Sequence, residues 1–167
     1  PRTEFDAPNP QSAYGKTKLE GENFVKAFAD KYFIVRTAWL YGEGKNFVKT
    51  MLRLAETNDT VRVVSDQIGS PTSAKELAKA IAVLIPTENY GIFHGTCEGL
   101  CSWADFAKKI FEMKGLATKV DYIKTEEYPT PAKRPAYSVL DNYMFRLTTN
   151  HTFAQWEDAL AEYMKSL

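Results

Sequence analysis

The stretch from Ser12 to Val35, SAYGKTKLEGENFVKAFADKYFIV, joins a helix-like segment to a short apolar run that is typical of a buried strand. Ser12 is a favourable helix N-cap, and the apolar residues after it recur at helical spacing until about Ala29. The run from Phe33 to Val35 then predicts a strand. Because helix-like and strand-like segments keep alternating along the chain, the sequence predicts an α/β fold with at least part of a parallel sheet.

Within the first predicted helix, Tyr14 stands four residues before Lys18, so the two side chains share a face. A nearby ammonium group favours the ionised form of a phenol, whose pKa would otherwise lie near ~10. Such a tyrosine is a usable proton donor near neutral pH, and the pair therefore indicates redox chemistry on a carbonyl or a hydroxyl. Without other matching motifs, the same pair would be an ordinary feature of a helix surface.

The remaining segments follow the same alternation. Ser73 and Glu76 form a capping-box pattern ahead of a helix, and Gly115 marks the end of another helix. A proline-rich stretch with Pro129, Pro131 and Pro135 follows the last strand-like run. Helices are predicted over 12–29, 47–56, from 73 to about 84, 102–113 and 153–165, and strands over 33–35, 61–64, 92–94 and 120–123.

Composition excludes several classes of partner. Lys and Arg number 21, as do Asp and Glu, so the formal net charge is zero and no field attracts a polyanion. Nucleic acid and membrane surfaces are therefore not expected as partners. The apolar runs are shorter than the ~20 residues that span a bilayer, and the first residues lack a signal-peptide core, so we expect a cytoplasmic location. Cys97 and Cys101 do not form a zinc pattern with His94 and His151, and no metal is expected.

A dinucleotide-binding fingerprint is missing from the printed sequence. Its nine glycines form neither a G-x-G-x-x-G motif nor a P-loop after a strand. A dinucleotide site needs such a turn at a helix N-terminus, where backbone amides can approach the pyrophosphate. With Tyr14 so near the beginning, the chain has the features expected of the back half of an enzyme.

Several segments together resemble the dTDP-4-dehydrorhamnose reductase family, in matching order and spacing across nearly the whole chain. The most specific are the Asp-Gln-Ile-Gly-Ser-Pro-Thr run ending at Thr72 and the Arg-Thr-Ala-Trp run ending at Trp39. That family belongs to the extended short-chain dehydrogenase/reductases, which join an NAD(P)-binding Rossmann domain to a smaller α/β substrate-binding domain. The matching segments are YGKTKLEGE (14–22), VRTAWLYG (35–42), NFVKTM (46–51), VVSDQIGSPT (63–72) and Arg134-Pro135 with Ser138.

The resemblance implies a division of the chain and a reaction. Residues 1–45 would be the C-terminal remnant of the Rossmann domain, and 46–167 would mainly bind the sugar nucleotide, with some segments returning to the Rossmann sheet. Hydride would pass from NADPH or NADH to C4 of a dTDP-linked 4-keto deoxysugar, giving dTDP-L-rhamnose.

The resemblance also implies site residues. Tyr14 would donate the proton, Lys18 would hold the nicotinamide ribose and lower the pKa of Tyr14, and both would contact the cofactor together with Thr37. Substrate-binding roles would fall to Trp39, Arg36, Asn46 and Arg134. Purely structural roles also remain open, since Trp39 could be a core aromatic and Arg134 could hold an extended loop in place.

One departure from the family bears on activity. The family places a serine or threonine well upstream of the tyrosine, whereas only thirteen residues precede Tyr14 here. The chain is therefore expected to be inactive alone and to need a missing N-terminal half or a second copy in a homodimer. Two alternatives stay open, namely a noncatalytic regulatory or binding relative of the same fold, and another nucleotide-sugar epimerase or dehydratase.

Overall fold

The computed structural model describes residues 1–130 and 134–167, so Pro131 of the proline-rich stretch lies outside the described residues. The predicted α/β alternation is confirmed. The helices are α1 (Ala13–Phe28), α2 (Phe47–Ala55), α3 (Ala74–Leu84), α4 (Trp103–Lys114), α5 (Tyr143–Thr148) and α6 (Trp156–Met164). The strands are β1 (Phe33–Arg36), β2 (Leu40–Tyr41), β3 (Thr60–Val64), β4 (Ile68–Gly69), β5 (Thr72–Ser73), β6 (Gly91–His94), β7 (Cys101–Ser102) and β8 (Lys119–Ile123).

The strands form four separate two-stranded pairings. Three of them, β1 with β6, β2 with β5 and β3 with β8, are parallel, which agrees with the parallel component expected from the sequence, although β2 and β5 were not among the predicted strands. The fourth, β4 with β7, is antiparallel and was not predicted. In every pairing within residues 1–130 and 134–167, one of the first four strands meets one of the last four.

Local side-chain chemistry accounts for the ends of two helices. The Ser12 hydroxyl accepts a hydrogen bond from the Gly15 amide at 3.1 Å and begins α1. At α4, the Ser102 hydroxyl accepts from the Asp105 amide while the Asp105 carboxylate accepts from the Ser102 amide, which makes a complete capping box. Gly115 ends α4 with a left-handed backbone, φ 64°. Helix propensity and capping therefore set the limits of α4.

The capping box predicted for α3 is wrong in one half. The Ser73 hydroxyl does cap the helix and accepts from the Lys75 amide at 3.2 Å. The Glu76 carboxylate does not return to the cap. It is buried, accepts from Lys79 at 2.5 Å and from the Ala154 amide at 3.4 Å, and so ties α3 to the segment before α6.

Two hydrophobic clusters form the core. The larger is centred on α4, whose Phe106, Ile110 and Phe111 are fully buried against α2, β3 and α6. The smaller joins Phe93 of β6 to Phe145 of α5, whose ring centroids lie 5.2 Å apart at 63°. Burial of each of these side chains away from water stabilises the folded state by roughly 1.5–3 kcal/mol. Helix α4 is thus the centre of the larger cluster, while the smaller cluster is built without it.

Helix α1 is attached differently from the other long helices. None of its residues is buried against the described part of the chain, although its sequence carries the apolar stripe predicted from spacing. Phe24 is 58% and Phe28 is 84% exposed, and their rings stack on each other at 6.3 Å. The stripe is therefore present, but none of its residues is buried among residues 1–130 and 134–167. Among the described residues, no helix is long and apolar enough to cross a membrane.

Candidate active site

Tyr14 and Lys18 lie in the first turns of α1 and are both exposed, Tyr14 by 73%. The start of the helix is held by Ser12 and by Gly15, where a Cβ atom would lie only 3.0 Å from the Pro10 side chain. The backbone of this turn is therefore well supported while the two side chains face outward. A proton donor and a cation in this arrangement are accessible to a molecule that approaches α1.

Arg36, at the end of β1, faces back towards α1. Its Nε and Nη2 donate to the two carboxylate oxygens of Glu22 at 2.7 and 2.6 Å, which is a bidentate pair. The hydrogen bond to Glu22 raises the pKa of the Arg36 guanidinium. Both side chains are largely shielded, so this ion pair is a firm link between α1 and β1. The substrate role predicted for Arg36 stays a prediction, and its side chain is engaged in this link.

Thr37 follows β1 directly and presents a buried hydroxyl. Its Oγ1 has no hydrogen-bond partner among the described residues, although a buried hydroxyl normally has one. An orphan hydroxyl of this kind suits a polar group from outside the described residues. Thr37 therefore fits the cofactor contact predicted for it, and the prediction stays open.

Trp39 adopts a left-handed backbone with φ 48° and is half-buried. Its ring stacks face to face on Trp103, with centroids 3.6 Å apart and an interplanar angle of 10°. The alternative of a packed aromatic is thus partly realised, since one face of Trp39 is covered by protein. Strained non-glycine residues of this kind cluster at functional sites.

Asn46 is committed to local structure. Its side-chain oxygen accepts from the Lys49 amide and caps α2. Its Nδ2 donates to the Gly42 carbonyl at 2.6 Å and to the Tyr163 hydroxyl at 2.9 Å. These bonds fix the loop between β2 and α2, and a substrate contact by Asn46 stays a prediction.

A cleft of about 470 Å³ opens between α2, β3 and the segment after β8. Arg134 stands exposed beside it, while Arg62 is shared between Asp121 at 3.5 Å and Glu127 at 3.1 Å. Arg134 is therefore the better placed cation for an anionic group. The cleft is lined by Phe47, Thr50, Met51, Leu54, Val61, Arg62, Val63, Val64, Gln67, Trp103, Tyr128, Thr130 and Arg134.

The Asp-Gln pair after β3 organises the loop that borders this cleft. The Asp66 carboxylate accepts from the Thr125 hydroxyl at 2.7 Å and from the Thr125 amide at 3.0 Å. The hydroxyl bond from Thr125 lowers the pKa of Asp66. Gln67 is buried and donates to the same hydroxyl at 3.0 Å. Asp66 thus shapes the turn, whereas Gln67 also reaches the cleft.

The two cysteines and His94 are buried packing residues. Both thiols are free and buried, and burial raises the pKa of Cys97 to about 11. His94 is buried at the end of β6, its Nδ1 lies 3.0 Å from the Arg2 carbonyl, and burial lowers its pKa. Within the described residues, no group of His, Cys, Asp and Glu could hold a metal ion.

Sequence reasoning missed the aromatic wall of the cleft. Trp103, Phe47 and Tyr128 all line it, yet none of them was predicted as a site residue. Trp103 and Phe47 are each the first residue of a helix, directly after a side-chain N-cap. The available signal was an aromatic residue directly after each N-cap, although both rings also pack against the larger hydrophobic cluster.

The α/β fold, with a tyrosine and a lysine one turn apart at the start of α1, is that of the extended short-chain dehydrogenase/reductases over part of their length. A crystal structure of a dTDP-4-dehydrorhamnose reductase from Clostridium acetobutylicum superposes with a TM-score of 0.97 at 59% identity, covering 99% of this chain and 59% of that chain. A structure of dTDP-4-dehydrorhamnose reductase from Bacillus anthracis in complex with NADP gives a TM-score of 0.94 at 45% identity, covering 98% and 58%.

The chain belongs to the RmlD family, since residues 1–167 match its RmlD substrate binding domain. The spore coat polysaccharide biosynthesis protein SpsK of Bacillus subtilis is 44% identical over 169 residues, which cover 99% of this chain and 58% of SpsK. The chain therefore spans less than two thirds of the length of these relatives.

Proposed function

We propose that this chain is the part of an NAD(P)H-dependent reductase that donates the proton and binds the sugar nucleotide, in the conversion of dTDP-4-dehydro-L-rhamnose to dTDP-L-rhamnose. The observation that carries the proposal is the outward-facing Tyr14 and Lys18 at the start of α1, in a chain that also holds the 470 Å³ cleft. The names of the Clostridium and Bacillus anthracis relatives support the choice of substrate. We expect the reaction in the cytoplasm.

The two proposed regions keep the boundaries expected from the sequence. Residues 1–45 would complete an NAD(P)-binding Rossmann domain, and residues 46–167 would mainly form the sugar-nucleotide region. The parallel pairing of β1 with β6 supports the idea that part of the second region returns to the sheet of the first. The orphan hydroxyl of Thr37, directly after β1, supports a cofactor edge at this end of the strand.

The proton transfer is the step that the residues of this chain would perform. NADPH or NADH, when bound, supplies the hydride for C4 of the sugar. Tyr14 holds a proton on its hydroxyl and donates it to the carbonyl oxygen as that oxygen gains negative charge. Lys18, one turn further along α1, stabilises the phenolate that remains. The ion pair between Arg36 and Glu22 holds α1, and therefore Tyr14, at a fixed height above β1.

The cleft suits the remaining parts of a dTDP sugar. The rings of Phe47, Trp103 and Tyr128 offer apolar faces for a pyrimidine base and a deoxysugar. Arg134 places a guanidinium at the edge, where it could form paired hydrogen bonds to a diphosphate. Trp39 lies beyond Trp103 and would meet the sugar on its apolar side.

We propose that residues 1–167 alone do not reduce the sugar. The apolar stripe of α1 is uncovered, and the chain spans 58% of the Bacillus anthracis relative. Either a preceding nucleotide-binding half or a second copy in a homodimer would have to cover this face. An exposed stacked pair such as Phe24 and Phe28 is more typical of an interface than of a free surface.

The test is a chimera in which this chain replaces the matching part of the Clostridium acetobutylicum reductase. We expect NADPH oxidation with dTDP-4-dehydro-L-rhamnose by the chimera and none by the isolated chain. Tyr14→Phe in the chimera should lower kcat by about 10²- to 10⁴-fold, because it removes only the proton donor. A chimera that folds and binds dTDP but does not oxidise NADPH would instead favour a noncatalytic relative.

A further inference from the structure

The backbone of Trp39 is held in an unfavourable conformation by the strands around it. Its φ is 48°, and within residues 1–130 and 134–167 it is the one non-glycine residue with a positive φ. The Trp39 carbonyl accepts from the Thr72 amide at 3.1 Å, and Leu40 pairs with Thr72 in the β2–β5 ladder. A left-handed residue that is held in this way has its side chain aimed in a fixed direction.

The indole of Trp39 is enclosed on two sides. Trp103 covers one face with a centroid separation of 3.6 Å. Gly69 lies against the ring, because a Cβ atom at this position would come within 2.4 Å of Cε2 of Trp39. The β4–β7 pairing sets Gly69 opposite Cys101, two residues before Trp103. The same short ladder therefore positions both groups that confine Trp39.

Trp103 also reaches the cleft. It lines the 470 Å³ cleft together with Phe47, and the centroids of these two rings lie 4.6 Å apart. Trp39 is not among the residues that line the cleft. Trp103 thus contacts both the cleft and Trp39, and it is anchored at the start of α4 by the Ser102–Asp105 capping box.

We propose that Trp103 is a positioning residue for the reduction, acting through Trp39. Trp103 stacks on Trp39 and also lines the cleft. It therefore fixes the orientation of the Trp39 indole relative to a sugar nucleotide held in the cleft. This inference rests on the proposed function. Its physical basis is that misplacing a group that orients the substrate by about 1 Å can cost as much as 10²-fold in rate.

The kinetic test is a double-mutant cycle in the chimera described above. Trp103→Leu should lower kcat by about tenfold to a hundredfold when Trp39 is present, and Trp103→Phe should recover most of that loss because a ring can still stack. In a Trp39→Leu background, Trp103→Leu should have little further effect on kcat, since the two residues act as one unit. Equal effects of Trp103→Leu in both backgrounds would overturn the proposal.

A second variant displaces Trp39 without changing any residue that lines the cleft. Gly69→Ala introduces the Cβ atom that the Trp39 ring excludes, and Gly69 itself is not among the lining residues. We expect kcat to fall while the affinity for dTDP, which contacts only the cleft, stays within about twofold, because dTDP lacks the sugar that must be oriented. Unchanged turnover in Gly69→Ala would count against a role for Trp39 orientation.

A spectroscopic test is independent of activity, so it separates this proposal from the proposed function. The chain contains three tryptophans, and two indoles stacked at 3.6 Å should give an exciton couplet in circular dichroism. The couplet should survive Trp156→Phe and disappear in Trp103→Phe. With Trp156→Phe present, acrylamide should quench Trp39 fluorescence more strongly in Trp103→Leu than in Trp103→Phe. Equal quenching would overturn the proposal even if the chimera is inactive, whereas inactivity alone refutes only the proposed function.

Discussion

Replacing Arg36 by Met should loosen α1 while leaving the rest of the fold in place. The substitution removes two charge-assisted hydrogen bonds, at 2.7 and 2.6 Å, and leaves the Glu22 carboxylate without its bidentate partner. Helix α1 has no buried residue to compensate for this loss. Most helical stability in proteins comes from tertiary packing, so the order of α1 depends on such attachments.

The expected magnitude follows from the exposure of the pair. Breaking a fully buried ion pair costs about 3–5 kcal/mol, and an exposed pair contributes about 0–1 kcal/mol. The side chains of Arg36 and Glu22 retain 19% and 16% exposure, so water can partly solvate the carboxylate that remains. We therefore expect the free energy of opening α1 to fall by about 1–3 kcal/mol, a factor of roughly 5 to 150 in its opening equilibrium.

Hydrogen–deuterium exchange read by mass spectrometry measures this opening directly. Peptides from α1 should exchange faster in Arg36→Met by that factor, while peptides from β3 and α4 should keep their protection. Lys26→Ala is the matched control, because Lys26 lies 3.9 Å from the same carboxylate and should contribute at most about 0.5 kcal/mol. Unchanged exchange in α1, or an equal increase in α1 and α4, would refute the argument that this ion pair attaches the helix.

Three further predictions concern other parts of the chain. Thr125→Val should raise the pKa of Asp66 towards 3.8, as followed by NMR titration, because it removes the hydroxyl that stabilises the carboxylate. The pKa of Asp66 is lower in the folded state than in the unfolded state, so ionised Asp66 stabilises the fold at pH values above its unfolded-state pKa. This stabilisation is lost as the pH falls through the folded-state pKa. The loss should be smaller in Thr125→Val, because less stabilisation is present to be lost. Gly115→Ala should cost about 1 kcal/mol in urea unfolding, since alanine disfavours the left-handed backbone that ends α4. Native Cys97 and Cys101 should resist iodoacetamide at pH 8 and react only after unfolding, because burial raises the pKa of both thiols.

The long elements were predictable because their signals are local. Helical spacing and the Ser12 and Ser102 caps located α1 and α4 to within a few residues, and Gly115 marked the end of α4. The two-residue strands β2, β4, β5 and β7 were missed, because each exists only through hydrogen bonds to a segment distant in the sequence. Helix α5 was missed as well, since six residues carry too little periodicity to be recognised.

The candidate site was predictable only where chemistry is carried by neighbouring residues. Tyr14 and Lys18 form a motif on one helix, so their shared face could be inferred from spacing. The stacking of Trp39 on Trp103 could not, because these residues come together only through the β4–β7 pairing. The ion pair of Arg36 was also invisible, since the identity of a polar residue does not reveal its partner.

The pairing of the first four strands with the last four has a consequence for how this chain is made. A ribosome that has released only β1 to β4 of these strands has not yet made their described partners, so none of the four can form the pairing seen in the structure. Cutting the backbone between β4 and β5, at the Ser70–Pro71 bond, would separate each of the eight described strands from the partner it has within residues 1–130 and 134–167. Two such fragments should each stay unfolded and should regain structure only when mixed, which makes this bond a natural place to build a split reporter.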